Sequence, residues 1–266
     1  MIYFSNEKKI NELKQKMNKD NICVFLDYDK TITSNESEDS WAVSANKTIM
    51  GEGLSNDLNK LAEKFEPIEL DYTIPTQEKE TYMLEWYTKS MSLYYTYHLA
   101  KDKLKECIHN SHLELRNGAK DFLDRLYKCN IPVIIFSAGI GNVIEQFLKE
   151  KECYYDNITI IGNFIKFDEN GNMIKFSDYM IHSLNKNIDQ LKDDQLKEKI
   201  EKREYRIVIG DIVEDIHMMG EYPEEKSLKI GFLNKNITEN LEVYNKNFDI
   251  VLTEDNNFYD IEKYII

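Results

Sequence analysis

Two carboxylates spaced two residues apart, Asp27 and Asp29, follow directly after an apolar run that begins at Ile22, and Thr31 comes two residues later. An apolar run bounded by polar residues predicts a buried parallel strand, so Asp27 should lie at its carboxyl end and Asp29 in the loop beyond. Open α/β sheets bind ligands at that edge. Because two acids this close repel each other unless a cation or proton lies between them, the pair predicts a metal site. Taken alone, the same residues would also fit a solvated acidic loop.

Polar residues that can do chemistry also follow two later apolar runs. Ser137 follows the run at 131–136, and Asp211 and Asp215 follow the run at 206–209. The carboxyl ends of parallel strands lie at one edge of a sheet, so these side chains should converge there. Lys186, which precedes the later of the two runs, could join them.

Phosphoryl transfer would use each of these groups. Asp27 can attack phosphorus in line and form an aspartyl-phosphate, provided that a divalent cation reduces the repulsion between the two anions. Asp29 is placed to protonate the departing alkoxide and then to take a proton from the water that hydrolyses the intermediate. Asp211 would add a carboxylate that holds Mg²⁺, a hard ion that prefers oxygen ligands.

The turn at Ser137 and the ammonium of Lys186 are the candidates for binding the phosphate itself. Ser137 and the backbone N–H groups of Ala138 and Gly139 could hydrogen-bond the equatorial oxygens, since a small glycine-containing turn permits close approach. Lys186 would neutralise part of the charge that builds up there. We expect Asp215 to support these groups without touching the substrate.

Each of these residues has a plain alternative. Ser137 could simply cap the helix that follows it, and Lys186 could be an ordinary surface lysine. Asp215 lies where the dipole of a helix favours an acid in the first turn. The five histidines show no metal-ligand pairing beyond the two at 109 and 112, and we assign them no role. These separate alternatives do not readily explain why acids, a hydroxyl and an ammonium all occur together in this pattern.

The elements that must position these groups form an alternating α/β pattern with one helical interruption. An amphipathic helix around Leu13 precedes the first strand, and between 32 and 117 two long helical patterns and a shorter one predict an inserted helical block. From Ala119 onward strands and helices alternate, which predicts a sheet of about six mostly parallel strands. The segment 164–176 predicts an appended hairpin.

Aromatic residues mark the second long helix of the inserted block. Trp86, Tyr87, Tyr94 and Tyr97 recur at helical spacing, which predicts that they form the core of the block. One or two of the rings could instead face a cleft and stack on a base.

The amino-acid composition restricts which kinds of molecule the protein can bind. The 266 residues carry 34 Lys and Arg against 48 Asp and Glu, a formal charge of −14. This charge repels nucleic acids and anionic membranes, so we expect neither as a partner, and a phosphate site needs local cations. Four cysteines without Cys-x-x-Cys spacing predict reduced thiols and a cytoplasmic protein. We expect a monomer or a weak dimer.

With these residues assembled, the chain resembles the haloacid-dehalogenase (HAD) superfamily of phosphohydrolases. Its four motifs match Asp27-Tyr-Asp-Lys-Thr31, Ser137, Lys186, and Gly210-Asp211 with Asp215. Longer strings resemble the cytosolic pyrimidine 5′-nucleotidases of class III, and this similarity covers most of the chain from about Asp71 onward. These strings are YMLEWYTKS at 82–90, IPVIIFSAGIG at 131–141 and NFIKFDENG at 163–171.

The resemblance implies a Rossmann-like HAD core at 1–32 and 118–266 with a helical cap at 33–117. It also implies dependence on Mg²⁺ and hydrolysis of nucleoside 5′-monophosphates. In this family the Mg²⁺ ligands would be Asp27, the backbone carbonyl of Asp29 and Asp211. Glu85 becomes the cap residue that contacts the nucleobase, although Glu85 and Lys89 are also spaced as an exposed helix pair.

The segment after the first motif departs from the family pattern. Residues 34–43 read SNESEDSWAV, where the family usually carries a differently composed stretch. Because this segment borders the substrate cleft, it bears on base preference. Trp41 could replace a stacking ring or be buried.

We therefore expect an Mg²⁺-dependent 5′-nucleotidase that acts on pyrimidine nucleoside monophosphates. Within enzymes, the alternative is a HAD phosphatase for another small phosphate monoester. From a different class, the alternative is a phosphate-accepting receiver or an idle binding module. Roughly eighty residues of helix between the first two strands argue against a receiver, and the presence of Asp29 argues against an idle module.

Overall fold

The computed structural model describes residues 1–69, 71, 73–253 and 256–265. Nine strands are formed within these residues. They are β1 (Ile2–Phe4), β2 (Ile22–Leu26), β3 (Val133–Ile140), β4 (Ile158–Asn163), β5 (Ile165–Phe167), β6 (Met173–Phe176), β7 (Tyr205–Gly210), β8 (Ser227–Leu233) and β9 (Ile250–Thr253).

Seven of these strands form one sheet in the order β1-β9-β8-β7-β2-β3-β4. Neighbouring strands are parallel except for β1, which runs antiparallel to β9. In the centre of the sheet, Val24 of β2 lies beside Val133 of β3 on one side and Ile207 of β7 on the other. The carboxyl ends of β2, β3 and β7 therefore lie side by side at one edge of the sheet.

Some helices cover the two faces of the sheet, and others belong to the block that is inserted in the chain between β2 and β3. They are α1 (Glu7–Lys16), α2 (Ser40–Ser44), α3 (Lys47–Met50), α4 (Glu52–Glu69), α5 (Thr76–Thr96), α6 (Lys101–His109), α7 (Ala119–Lys128), α8 (Gly141–Glu150), α9 (Asp194–Glu201), α10 (Ile237–Asn247) and α11 (Phe258–Glu262). Within the described ranges, no helix is both long and apolar enough to cross a membrane.

The apolar runs in the sequence form strands because both of their faces are buried. Every residue of β2 is buried, as expected for a strand in the middle of a parallel sheet covered on both sides. Leu13 of α1 and Phe122 of α7 each retain only 1% exposure, so the helices cover the sheet with their apolar faces. This packing fixes the edge at which the polar residues emerge.

Helices α2 to α6 form the block inserted between β2 and β3. The chain enters and leaves this block side by side, because Thr33 and Leu115 form an isolated β-bridge. The hairpin of β5 and β6 contacts the block as well, since the N–H of Lys101 donates to the carbonyl of Gly171 at 2.8 Å. A domain division at 32/33 and 117/118 stays a prediction.

The α/β class and the mostly parallel sheet are confirmed. The sheet has one strand more than expected, because the three residues of β1 are too few to give a periodic signal. Helices α2 and α3, of five and four residues, were not predicted for the same reason. Strand β3 also continues past Ser137 to Ile140, with an irregular register after Phe136.

Candidate active site

Asp27 ends the central strand of the sheet, and its side chain is 4% exposed. Its backbone N–H donates to the carbonyl of Ile209 in β7 at 2.9 Å, which ties the ends of the two strands together. The chain then turns sharply through 28–32, where Lys30 has a positive φ of 62°. This turn directs Asp29 toward the inserted block.

Lys186 lies between two carboxylates. Its Nζ is 2.6 Å from Oδ1 of Asp27 and 2.6 Å from Oδ1 of Asp215, and the lysine is 4% exposed. Burial would lower the pKa of Lys186, but attraction from Asp215 and Asp27 outweighs it and raises the pKa. Lys186 is therefore a buried cation that links the first and last motifs, and the surface-lysine alternative does not describe it.

Asp215 is fully buried and orients its neighbours. Its Oδ2 accepts hydrogen bonds from the N–H groups of Asp211 at 3.0 Å and Ile212 at 3.1 Å. A Cβ at Gly210 would lie only 2.3 Å from the same oxygen, so a glycine is needed for this approach. Asp215 thus fixes both Lys186 and the turn that carries Asp211.

Within the described residues, three acids gather closely enough to share one ion. Asp27, Asp211 and Asp215 each offer an oxygen, and these oxygens lie within 4.8 Å of one another. Because Asp215 is engaged by Lys186 and two backbone N–H groups, Asp27 and Asp211 are the better ligands. Burial raises the pKa of Asp27 to about 6 although Lys186 opposes it, and burial raises the pKa of Asp211 as well. A bound cation relieves this cost, so the cluster fits a hard divalent ion.

Asp29 has a different environment from Asp27. Both of its carboxylate oxygens accept hydrogen bonds from Ser40, one from the N–H and one from the hydroxyl, each at 2.9 Å. Burial, together with the charges of Asp39 and Asp27, raises the pKa of Asp29 to about 8. Two neighbouring acids with separated pKa values suit a nucleophile and a proton donor.

Residues 137–140, the irregular end of β3 after Phe136, lie beside these acids, and we call this segment the phosphate turn. Ser137 is 1% exposed, and its Oγ accepts a hydrogen bond from the N–H of Gly139 at 3.0 Å. Since α8 begins at Gly141 with Ile140 as its N-cap residue, Ser137 does not cap that helix. The carbonyl of Ala138 accepts hydrogen bonds from Trp41 Nε1 at 3.2 Å and Asn163 Nδ2 at 2.9 Å.

A cavity of about 680 Å³ lies in the inserted block next to this turn. Trp41 connects the two, because its indole N–H donates to Ala138 while its ring packs edge-on against Tyr87 at 5.4 Å between centroids. The lining combines aromatic rings with acidic groups. These residues include Trp41, Trp86, Tyr87, Glu38, Asp39 and Glu66, and Lys47 also lines the cavity.

Two glutamates of the inserted block occupy different places. Glu85 lies on the surface with its side chain 38% exposed, and its carboxylate pairs with Lys89 at 2.5 Å and Lys64 at 3.2 Å. Glu69, at the end of α4, accepts a hydrogen bond from the hydroxyl of Ser183, three residues before Lys186. Burial raises the pKa of Glu69. Glu69 is therefore the glutamate that reaches the core beside the site.

Sequence reasoning missed Ser40 and Glu69. No motif marks a single serine or glutamate in a polar stretch, so only the tertiary contacts reveal them. His182 was assigned no role, and the structure buries it against Tyr87 with 6.1 Å between ring centroids. Burial lowers the pKa of His182 to about 4, so it is a neutral side chain packed behind Tyr87.

The sheet order, the inserted helices and the four converging groups define a HAD-type hydrolase. A substrate-bound phosphoserine phosphatase matches the fold with a TM-score of 0.59 and 18% identity, covering 94% of this chain and 100% of that one. A crystal structure of cytosolic 5′-nucleotidase IIIB bound to cytidine is much more similar. It has a TM-score of 0.87 and 28% identity, covering 99% of this chain and 92% of that one.

The chain belongs to the pyrimidine 5′-nucleotidase (UMPH-1) family, whose model matches residues 29–266. The human 7-methylguanosine phosphate-specific 5′-nucleotidase is 32% identical over 242 residues, covering 89% of this chain and 81% of the human protein. The expected family and enzyme class are thereby confirmed. The protein is a phosphoric monoester hydrolase of the 5′-nucleotidase class.

Proposed function

We propose that the protein hydrolyses nucleoside 5′-monophosphates with Mg²⁺ through a phosphorylated Asp27. The observation that carries this proposal is the buried contact of Lys186 with Asp27, at 2.6 Å, beside the carboxylate of Asp211. Asp27, the carbonyl of Asp29 and Asp211 would hold the Mg²⁺. When bound, this ion would reduce the repulsion between the nucleophile and the phosphate dianion.

In the first step, a carboxylate oxygen of Asp27 attacks phosphorus. The bond between phosphorus and O5′ breaks, its electron pair goes to O5′, and O5′ takes the proton of Asp29. The products are the nucleoside and Asp27 as an acyl phosphate. Burial favours the protonated form of Asp29, since its pKa is raised to about 8, so the acid is available near neutral pH.

In the second step, water attacks phosphorus and the bond to Asp27 breaks. The water proton passes to Asp29, which was left ionised by the first step, and inorganic phosphate leaves. The cycle thus returns Asp27 as a carboxylate and Asp29 as an acid. Ser137, the N–H of Ala138 and Lys186 would bind the equatorial oxygens, which hold the same three positions in both steps. The N–H of Gly139 would join them by exchanging its bond to Ser137 Oγ for one to the phosphate.

We place the nucleoside in the cavity beside Trp41, because this cavity adjoins the phosphate turn. A pyrimidine base is the expectation from the sequence, and the similar cytosolic 5′-nucleotidase IIIB was solved with cytidine. The lining favours 7-methylguanosine monophosphate as a second candidate. Its base is cationic, and aromatic rings with nearby carboxylates attract cations. Relatives named for 7-methylguanosine phosphate agree with this assignment.

Glu85 as the base contact stays a proposal from the family resemblance. Its two ion pairs compete with that role, whereas Glu69 accepts a hydrogen bond from Ser183, three residues before Lys186. We also propose a cytoplasmic monomer or weak dimer without nucleic-acid or membrane partners. The four cysteines are free, which agrees with a reducing compartment.

Phosphate release across a panel of nucleotides tests the proposal. The panel contains cytidine, uridine, adenosine, guanosine and 7-methylguanosine 5′-monophosphates, together with small phosphate monoesters that have no base. We expect turnover of cytidine or 7-methylguanosine monophosphate with Mg²⁺ and its loss in EDTA. Faster turnover of the monoesters without a base would instead favour the alternative, a general HAD phosphatase.

A further inference from the structure

The segment that departs from the family pattern reaches directly into the catalytic site. Ser40 begins α2 and is fully buried. It donates from both its N–H and its hydroxyl to the two carboxylate oxygens of Asp29, each at 2.9 Å. The residue after it, Trp41, donates to the carbonyl of Ala138. One short helix of the inserted block therefore contacts both the expected acid and the expected phosphate turn.

The hydroxyl of Ser40 has a fixed place between three groups. Besides donating to Asp29, it accepts a hydrogen bond from the N–H of Ile140 at 3.2 Å. A Cβ at Gly139 would lie 2.0 Å from this hydroxyl, so the backbone there comes as close as a glycine permits. The hydroxyl cannot rotate freely, because the buried carboxylate of Asp29 accepts its hydrogen bond and the backbone N–H of Ile140 donates to it.

We propose that Ser40 is a positioning residue that holds the carboxyl group of Asp29 in the orientation from which it transfers a proton. This inference rests on the proposed function. Each carboxylate oxygen has two lone-pair sites, and Ser40 occupies one on each oxygen. A site on each oxygen stays available for the proton that passes to O5′ and later returns from water. Proton transfer depends on such fixed geometry.

A comparison of two leaving groups tests this role. A nucleoside 5′-monophosphate expels an alkoxide, which needs the proton of Asp29. Its analogue with sulfur in place of O5′ expels a thiolate, which leaves without a proton. The two substrates share the base, the sugar and the phosphate, so a defect in binding or folding affects both. Only a defect in proton donation slows release from the nucleotide without slowing release from the sulfur analogue.

The variant is Ser40→Ala, which removes the hydroxyl but keeps the N–H. The matched control is Ser44→Ala, because Ser44 is equally buried in the same helix and bonds only to Trp41 and Tyr94 among the described contacts. The assay is single-turnover release of nucleoside or thionucleoside with Mg²⁺, using the nucleotide that the wild type hydrolyses fastest. Thermal unfolding of each variant accompanies it.

We expect Ser40→Ala to slow release of the nucleoside at least about tenfold while release of the thionucleoside changes less than about twofold. Ser44→Ala should leave both rates near those of the wild type. Equal slowing of both substrates by Ser40→Ala, or no slowing of either, would overturn the inference. A wild type that releases neither product would instead overturn the proposed function.

Discussion

Replacing Lys186 with methionine should destabilise the protein in a way that depends on pH. The ammonium lies 2.6 Å from Asp27 and 2.6 Å from Asp215, and all three side chains are buried. Each contact supplies attraction on the order of 6 kcal/mol at an effective dielectric of about 20. Desolvation offsets much of it, and removal of one partner of a buried pair typically costs about 3–5 kcal/mol. Methionine keeps the length of the side chain, so lost packing contributes little.

The pH dependence follows from the carboxylates that lose their cation. Burial already raises the pKa of Asp27 to about 6, and loss of Lys186 removes the main opposing influence. An acid whose pKa is raised on folding binds its proton more tightly in the folded state, so stability is favoured at low pH and lost as pH rises. The variant should therefore lose less stability at about pH 5, where Asp27 can take up a proton, than at about pH 8.

Urea denaturation in EDTA at these two pH values measures the effect. The control is Lys89→Met, which removes an exposed lysine paired with Glu85 and should cost little at either pH. The expected result is a loss of about 3–5 kcal/mol at the higher pH and a clearly smaller loss at the lower one. A loss below about 1 kcal/mol at the higher pH, or an equal loss at both, would refute the view of Lys186 as the buried cation of the cluster.

Two further predictions concern the other acids. Glu69→Gln should raise KM for nucleotides, because it changes a half-buried group that contacts Ser183 near Lys186, whereas Glu85→Ala should change KM little. Steady-state kinetics with a base-free phosphate ester as control decides between them. The reverse order would return the base contact to Glu85. Asp29 has its pKa raised to about 8, so the folded protein keeps a proton that the unfolded chain loses above about pH 4. Relative to Asp29→Asn, the wild type should therefore lose up to about 1.4 kcal/mol of stability per pH unit as pH rises from about 4 to about 8 in EDTA. A constant difference between the two proteins would contradict this pKa.

The placement of three of the four motif groups was predictable because it follows from sheet topology alone. Once the runs before Asp27, Ser137 and Asp211 are recognised as parallel strands, their carboxyl ends must share one edge. The structure places β3 and β7 on either side of β2, which brings these three residues together. Lys186 was predictable only as a candidate, because no strand ends at it. Its position comes from a loop whose path the sequence does not specify.

Ser40 and Glu69 were not predictable, because their roles depend on contacts between distant elements. Ser40 lies eleven residues after Asp29, in a polar stretch without a periodic pattern. Glu69 is separated from Ser183 by 114 positions. Glu85, by contrast, was suggested as the base contact because the sequence around it resembles the family. That resemblance predicts the helix correctly but does not show which face of the helix packs against the core. The aromatic residues of α5 follow both interpretations of their helical spacing, because Tyr94 is fully buried whereas Trp86 and Tyr87 line the cavity.

The central claim is that the phosphoryl group passes through Asp27. Acid quenching of the wild-type enzyme during turnover of a nucleotide with Mg²⁺, followed by mass spectrometry of its peptides, tests this claim most directly. We expect one added phosphoryl group on Asp27 in the wild type. Asp27→Asn should remain folded but show neither this adduct nor phosphate release. A phosphoryl group on another residue, or continued phosphate release by Asp27→Asn, would contradict it.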